Sequence, residues 1–312
     1  MAKQPLEKSE RLKRRFLDYR KYARQLSDKA LDRELAALER FDVWNGRKDF
    51  EKFHIEWAMG FRSNLEQAKG ATGKPLSKST TRAIIATMRE FTIWLSQQEG
   101  FRSRIRTSDA DYFNLSRRDE AEARASSRRP APSIKQAQRA FDLMPSTTPR
   151  EMRDKAVFAV LCLTGIRVGA LVSLRIRHID LDEKSVTQNP REVATKFGKR
   201  IDTFFAKGFP EAETALRTWI AYLEDEALYG PDDPLFPATA IAPTSNTGFK
   251  VEGFDRRPWK STEPVRKIVK TAFQAAKLDS FGPHAFRHMR LSIAHPSRKS
   301  SPQRRTSVIP MF

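Results

Sequence analysis

The first hundred or so residues repeat apolar side chains at helical spacing. Leu31, Leu35, Leu38 and Phe41 recur every three or four positions and run into Asn45-Gly46, a stop signal. Phe50, Phe53, Trp57, Phe61 and Leu65 make a second stripe. A third, Ile84, Met88, Phe91 and Leu95, opens at Ser77-Lys78-Ser79-Thr80, whose hydroxyls suit an N-cap, and stops at Gly100. Stripes of this kind predict helices that bury one face. From Ser116 the large apolar residues vanish. Residues 116–132 are arginine-rich and close on Pro130-Ala131-Pro132, which predicts an interdomain linker.

Periodicity resumes at Ser133, an N-cap for Ile134, Ala137, Phe141 and Met144, with Pro145 as terminator. Met152 to Leu163 is apolar on most sides and predicts a central helix; Val168 to Leu174 predicts a shorter one. The pattern then changes. Val186, Val193, Ile201, Phe204 and Phe205 lie among breaks at Asn189-Pro190 and Phe197-Gly198, which predicts a small antiparallel sheet. Helical spacing returns with Leu216, Ile220, Leu223 and Ala227, and again with Val265, Ile268, Val269, Ala272 and Phe273. Residues 296–312 are rich in Ser, Arg and Pro and predict a disordered tail. The expected fold class is α+β, mainly α with a small antiparallel β-sheet. The expected division is a helical domain over 1–115, a basic linker over 116–132, a second domain over 133–295 and the tail.

Charge narrows the partner. With 58 Lys+Arg against 38 Asp+Glu the net charge is +20, which points to a polyanion: DNA, RNA or an anionic membrane surface. No apolar run approaches the roughly 18 residues of a membrane span, and the N-terminus lacks the apolar stretch of a signal peptide. A cytoplasmic, nucleoid-associated protein is expected. The lone Cys162, inside an apolar run, reads as a buried thiol. The five histidines have no Cys or acidic partners at ligand spacing, so no metal site is expected. Lys8, Arg11, Lys13, Arg14, Arg15, Arg20, Lys21 and Arg24 crowd the opening helix. They read as a solvated face or, for Arg11, Arg14 and Arg15 above all, as phosphate contacts. The linker arginines, Arg128 and Arg129 among them, could track a nucleic-acid backbone.

Two short segments carry candidate chemistry. In Thr164-Gly165-Ile166-Arg167 a turn glycine ends an apolar helix and presents an arginine, a planar bidentate grip for phosphate. In Pro283-His284-Ala285-Phe286-Arg287-His288 the proline fits a first helical turn, and His284 and Arg287, three apart, share a face while His288 points elsewhere. A cation beside an imidazole suits an oxyanion or phosphate. Either segment alone is also an ordinary helix junction. Lys196 lies in Thr195-Lys196-Phe197-Gly198-Lys199-Arg200, between strand-like runs, where a hairpin tip would carry it away from the domain; Lys199 competes for the same place.

Together these segments resemble the tyrosine recombinases, the phage integrase family. Thr164 to Leu174 resembles the first conserved box, His284 to His288 the opening of the second, and Thr195 to Arg200 the hairpin with the family's lysine. Leu76 to Arg82 and Phe91 to Leu95 resemble its helical, SAM-like core-binding domain, and the likeness runs from about residue 8 to about 294. The resemblance implies DNA strand cleavage and rejoining through a 3′-phosphotyrosyl link, with no metal or nucleotide cofactor. It assigns Arg167, His284 and Arg287 to the phosphate and Lys196 to the leaving oxygen. Lys78, Arg82, Lys199, Arg200 and His288 are expected to touch duplex DNA. Homo-oligomers, or assembly with a full-length recombinase, are implied.

Two departures qualify that reading. Ala170 stands where the family usually has an acidic residue. The family places its nucleophilic tyrosine some tens of residues after the second box, whereas here no tyrosine follows Tyr229. A C-terminally truncated recombinase that binds DNA without cleaving it alone is therefore expected. The alternatives are a subunit that receives its tyrosine in trans and a non-catalytic DNA-binding or regulatory protein on the same fold.

Overall fold

Two units make up the chain, Met1–Ser127 and Arg128–Phe312. The computed structural model describes residues 5–70, 72–125, 130–195, 198–243 and 249–294. The expected disordered tail, Lys196, Arg128 and Arg129 lie outside those residues. The architecture is α+β, mainly helical with small antiparallel sheets. Among the described residues no helix is long and apolar enough to cross a membrane.

In the first unit α1 spans Pro5–Asp18, α2 Asp28–Trp44, α3 Ile55–Gln67 and α4 Lys78–Ser96. The stop signals act as expected: Asn45 caps α2 and Gly46 takes a left-handed φ of 71°. The Ser77 hydroxyl accepts from the Thr80 amide at 3.1 Å and starts α4. The second stripe is interrupted. Phe50 sits in a 3-10 turn, Phe50–Lys52, and the helix begins only after His54. Leu35, expected on a buried stripe, is exposed; Ala37, Leu38 and Phe41 carry that face of α2 instead. Phe41 is the hub of the core, packed edge-on to Phe61 at 5.0 Å and near Phe50, Trp57 and Phe113.

The basic run of α1 is not a uniformly solvated face. Lys13 is buried, and its ammonium meets Glu10 at 2.5 Å, Glu39 at 2.6 Å and Asp42 at 3.0 Å. Those three carboxylates are the one grouping of metal-ligand type among the described residues, and a lysine occupies it. Arg20 turns inward too, forked onto Glu34 and reaching Glu90 at 3.2 Å. The expected linker is helical over Arg117–Arg124 (α5). Ser116 caps it by accepting from the Asp119 amide, and Asp119 and Glu120 pair with Lys78 and Arg82 of α4. A stretch without large apolar residues is thus held by capping and charge.

The second unit opens with α6, Ile134–Asp142, behind a reciprocal cap between Ser133 and Gln136. Next, α7 spans Pro149–Thr164; every residue from Ala156 to Thr164 is buried, which makes it the central helix the sequence predicts. After it come a single turn, α8, Val168–Leu171, and a three-stranded antiparallel sheet of β1 Ile179–Asp180, β2 Ser185–Gln188 and β3 Ile201–Phe204. Val193 is buried in the β2–β3 connection rather than in a strand. Then follow α9 Pro210–Ala221, an antiparallel pair β4 Pro237–Pro243 and β5 Phe249–Pro258, α10 Glu263–Ala275 and α11 Ala285–Ala294. Arg153 of α7 joins that pair to the core. Its guanidinium lies 5.0 Å from the Phe254 ring and 4.9 Å from Trp259, donates to the Pro237 carbonyl and Thr239 hydroxyl, and pairs with Asp154.

Candidate functional site

The C-terminal end of α7 organises the site. The Thr164 hydroxyl donates to the Val160 carbonyl at 2.6 Å and accepts from the Ile166 amide at 3.1 Å. Gly165 then takes a left-handed φ of 58°, and the chain turns into Arg167. A Cβ on Gly165 would lie 3.1 Å from the Arg287 Cα and 3.5 Å from Arg290 Cβ, so this glycine serves both the turn and the approach of α11. Because α8 is only one turn, its dipole adds little, and the charge offered at this turn is that of the arginine side chain.

Phe286 sets α11. It is buried, edge-on to Phe158 of α7 at 5.0 Å, and Met289 is buried one turn on. Arg287 is thereby turned toward Arg167. Burial, and then the charge of Arg167, hold the Arg287 guanidinium below the usual arginine range. Among the described residues neither arginine has a hydrogen-bond or ion-pair partner. Two cations from distant segments, both half-buried and neither neutralised by a carboxylate, have the chemistry that suits an anion.

His284 lies one residue before α11, in a turn closed by the Ala285 amide on the Gly282 carbonyl at 2.9 Å. Pro283 therefore precedes the helix instead of occupying its first turn. His288 does not point elsewhere: its ring is 5.8 Å from that of His284, nearly perpendicular to it. His284 lies three residues before Arg287 and His288 directly after it, and His284 is exposed.

The β2–β3 connection, residues 189–200, carries Lys196, Lys199 and Arg200. Its descending arm is anchored. The His178 ring accepts from the Arg175 amide at 2.9 Å and meets Glu192 at 2.8 Å, and Glu192 also pairs with Arg177 at 3.2 Å. The Ala194 amide donates to Ser173 just past α8 at 3.0 Å. Lys199 and Arg200 are exposed, and Arg200 pairs with Asp202. Beyond β3, the Ala206 amide donates to the Leu163 carbonyl at 2.7 Å, which ties this sheet to the end of α7.

Arg290 belongs to the site without any motif of its own in the sequence. Its guanidinium donates to the Thr164 carbonyl and to the Phe204 carbonyl. Its place three residues after Arg287 on a helix was the available signal. In the first unit Arg11, Arg14 and Arg15 are exposed; Arg15 also donates to Gln98 at 3.1 Å, while Lys78 and Arg82 bind α5 carboxylates. Ala170 is buried against the second unit's core.

Comparison with known proteins gives the family and the fold. The sequence profile of the phage integrase family matches residues 133–293, just over half of the chain. No curated protein matches. Among solved structures, the Tn1549 transposon integrase in complex with transposon right-end DNA superposes with a TM-score of 0.57 at 12% identity, covering 91% of this chain and 85% of that one. A lambda integrase dimer bound to a COC′ core site gives 0.54 at 13% identity, with 91% and 69% covered. A lambda integrase tetramer bound to a Holliday junction gives 0.52 at 13%, with 92% and 71% covered. With the family profile spanning the Arg167 turn, the lysine connection and the start of α11, the chain belongs to the phage integrase family.

Proposed function

We propose that this chain binds duplex DNA and holds a phosphodiester between Arg167 and Arg287 for the strand cleavage and rejoining of a tyrosine recombinase. The observation that carries this reading is the pairing of those two guanidiniums, brought together without a carboxylate between them. The +20 charge and the DNA in the solved relatives support it. In the reaction a tyrosine oxygen attacks phosphorus in line and the bond to the 5′-oxygen breaks. A 3′-phosphotyrosyl link and a 5′-hydroxyl result. The arginines offset charge on the crowded phosphate, where electrostatic stabilisation acts most strongly. His284 hydrogen-bonds or moves a proton there, and Lys196 protonates the departing 5′-oxygen.

These 312 residues supply the grip rather than the nucleophile. All five tyrosines precede His284. In the second unit, Tyr222 stacks on Trp219 and Tyr229 is buried beneath Arg256 at 4.8 Å, with burial raising its phenol. Taken alone, these residues would bind DNA and leave its strands intact, because the attacking tyrosine is not among those placed at the site. Two measurements test this. Log affinity for duplex DNA should fall linearly with log salt, by about 0.9 per phosphate contact; a flat response overturns the DNA reading. Nicked suicide substrates should yield no denaturant-resistant adduct with the 312-residue chain alone. An adduct would show by peptide mass spectrometry that one of its own residues is the nucleophile.

A further inference from the structure

We infer that Arg290 is a positioning residue that locks the Arg167 turn and the lysine-bearing sheet to α11; this deepens, and rests on, the phosphate-site reading above. Three segments meet at its side chain. Nη1 donates to the Thr164 carbonyl, three residues before Arg167, and Nη2 donates to the Phe204 carbonyl at the end of β3. Its own backbone lies three residues, just under a full helical turn, beyond Arg287. The aliphatic stem crosses the bare face of Gly165, where a Cβ would meet Arg290 Cβ and Cδ at 3.5 Å. The two acceptors belong to different secondary structures, and the link is a single planar fork whose spacing is set by covalent geometry.

The choice of an arginine follows from those acceptors. Thr164 offers one of the unfilled carbonyls at the end of α7, where a cation is favourable. A lysine is a point donor on a flexible stem and would not hold both carbonyls in one fixed geometry. Neither acceptor is a carboxylate, so the charge of Arg290 is not neutralised, and it adds to the field of Arg167 and Arg287. Burial, and then the Arg287 charge, hold its guanidinium below the usual range. A catalytic constellation displaced by about 1 Å loses on the order of a hundredfold in rate, so a clamp that fixes three segments of its support has a direct effect on function.

The test uses the 15N-labelled 312-residue chain, with inorganic phosphate as probe and the arginine Nε–H resonances as readout. Phosphate should shift the Arg167 and Arg287 signals, and R167A or R287A should abolish the response. R290K keeps the cation and should weaken phosphate binding about tenfold; R290Q should do the same or more. Amide hydrogen exchange on the same variants should quicken at 164–167 and 201–206 while 156–162 stays protected. Phosphate binding by R290K equal to that of the unaltered chain overturns the inference and leaves the phosphate site standing, as does unchanged exchange at both segments. Absence of any phosphate response in the unaltered chain overturns the phosphate site, and with it the role given to Arg290.

Discussion

Gly165 and Arg287 touch: a methyl group on the glycine would sit 3.1 Å from the arginine's Cα. The same glycine has a left-handed φ of 58°. G165A should therefore cost about 1–3 kcal/mol through backbone strain and contact together. Denaturant unfolding would show it, and the Arg287 Nε signal should move. A neutral G165A would mean that α11 does not rest on this turn.

The buried lysine predicts an alkaline effect. Burial alone would lower Lys13, but hydrogen bonds from Glu10, Glu39 and Asp42 outweigh it and hold the ammonium above its ordinary value of 10.5. A raised folded-state value gives stability that is complete below the unfolded value and is lost as pH rises through the folded one. K13M should be destabilised by about 3–5 kcal/mol near neutral pH, because three carboxylates lose their cation. The gap between the two proteins should narrow only above pH about 10.5. Urea midpoints across that range decide it.

Glu192 should act at the other end of the scale. Its hydrogen bond to His178, then the charge of Arg177, hold its carboxyl below the ordinary 4.5. A depressed value gives stability that is present above the unfolded value and is lost as pH falls through the folded one. Urea midpoints of the unaltered chain should exceed those of E192Q at pH 7 and converge with them below about pH 4. A constant offset between the two would remove the ionised carboxylate from the anchoring of the lysine connection.

Arg153 should be sensitive to loss of its charge. R153M keeps the stem but abandons the Pro237 carbonyl, the Thr239 hydroxyl and Asp154, whose carboxyl is already raised by burial. A loss of about 3 kcal/mol is expected, with faster amide exchange in β4 and β5 before α7 is affected. Exchange that rises uniformly across the second unit would argue against a local anchor.

Exposure should separate the arginines of the first unit. R14A should reduce the slope of log affinity against log salt by about 0.9. R20Q should leave that slope unchanged, since Arg20 is already forked onto Glu34. Equal effects in DNA-binding titrations would contradict the division between outward and inward cations.

Features written in neighbouring residues were legible in the sequence. Ser77, Ser133 and Asn45-Gly46 mark helix ends by their own side chains or dihedrals, and the all-round apolar run to Thr164 announced a central helix. Features that depend on distant partners were not. Nothing near Lys13 foretells Glu39 and Asp42, and nothing in the apolar pattern foretells α5, which Lys78 and Arg82 hold. The β4–β5 pair is not legible because β4 is mostly short side chains between two prolines, Pro237 and Pro243, with Ile241 its one large apolar residue, and acquires meaning only from its partner strand. Among site residues Arg167 and Arg287 were found through their motifs. Arg290 is not legible, because its acceptors are backbone carbonyls, which any sequence supplies.

The lysine at position 13 also sets an angle. Its ammonium reaches Glu10 on its own helix and Glu39 and Asp42 on the next, while Leu12 and Phe16 beside it are buried. Rolling α1 by one residue, or sliding it by one turn, would drive that charge into the aromatic seam and leave three acids facing one another. A buried ion group of this kind is a poor source of stability but a strict arbiter of register. Arg11 and Arg14, exposed on the same helix, inherit their heading from it. A cation that never meets solvent thus decides which way the cations that do meet it are aimed.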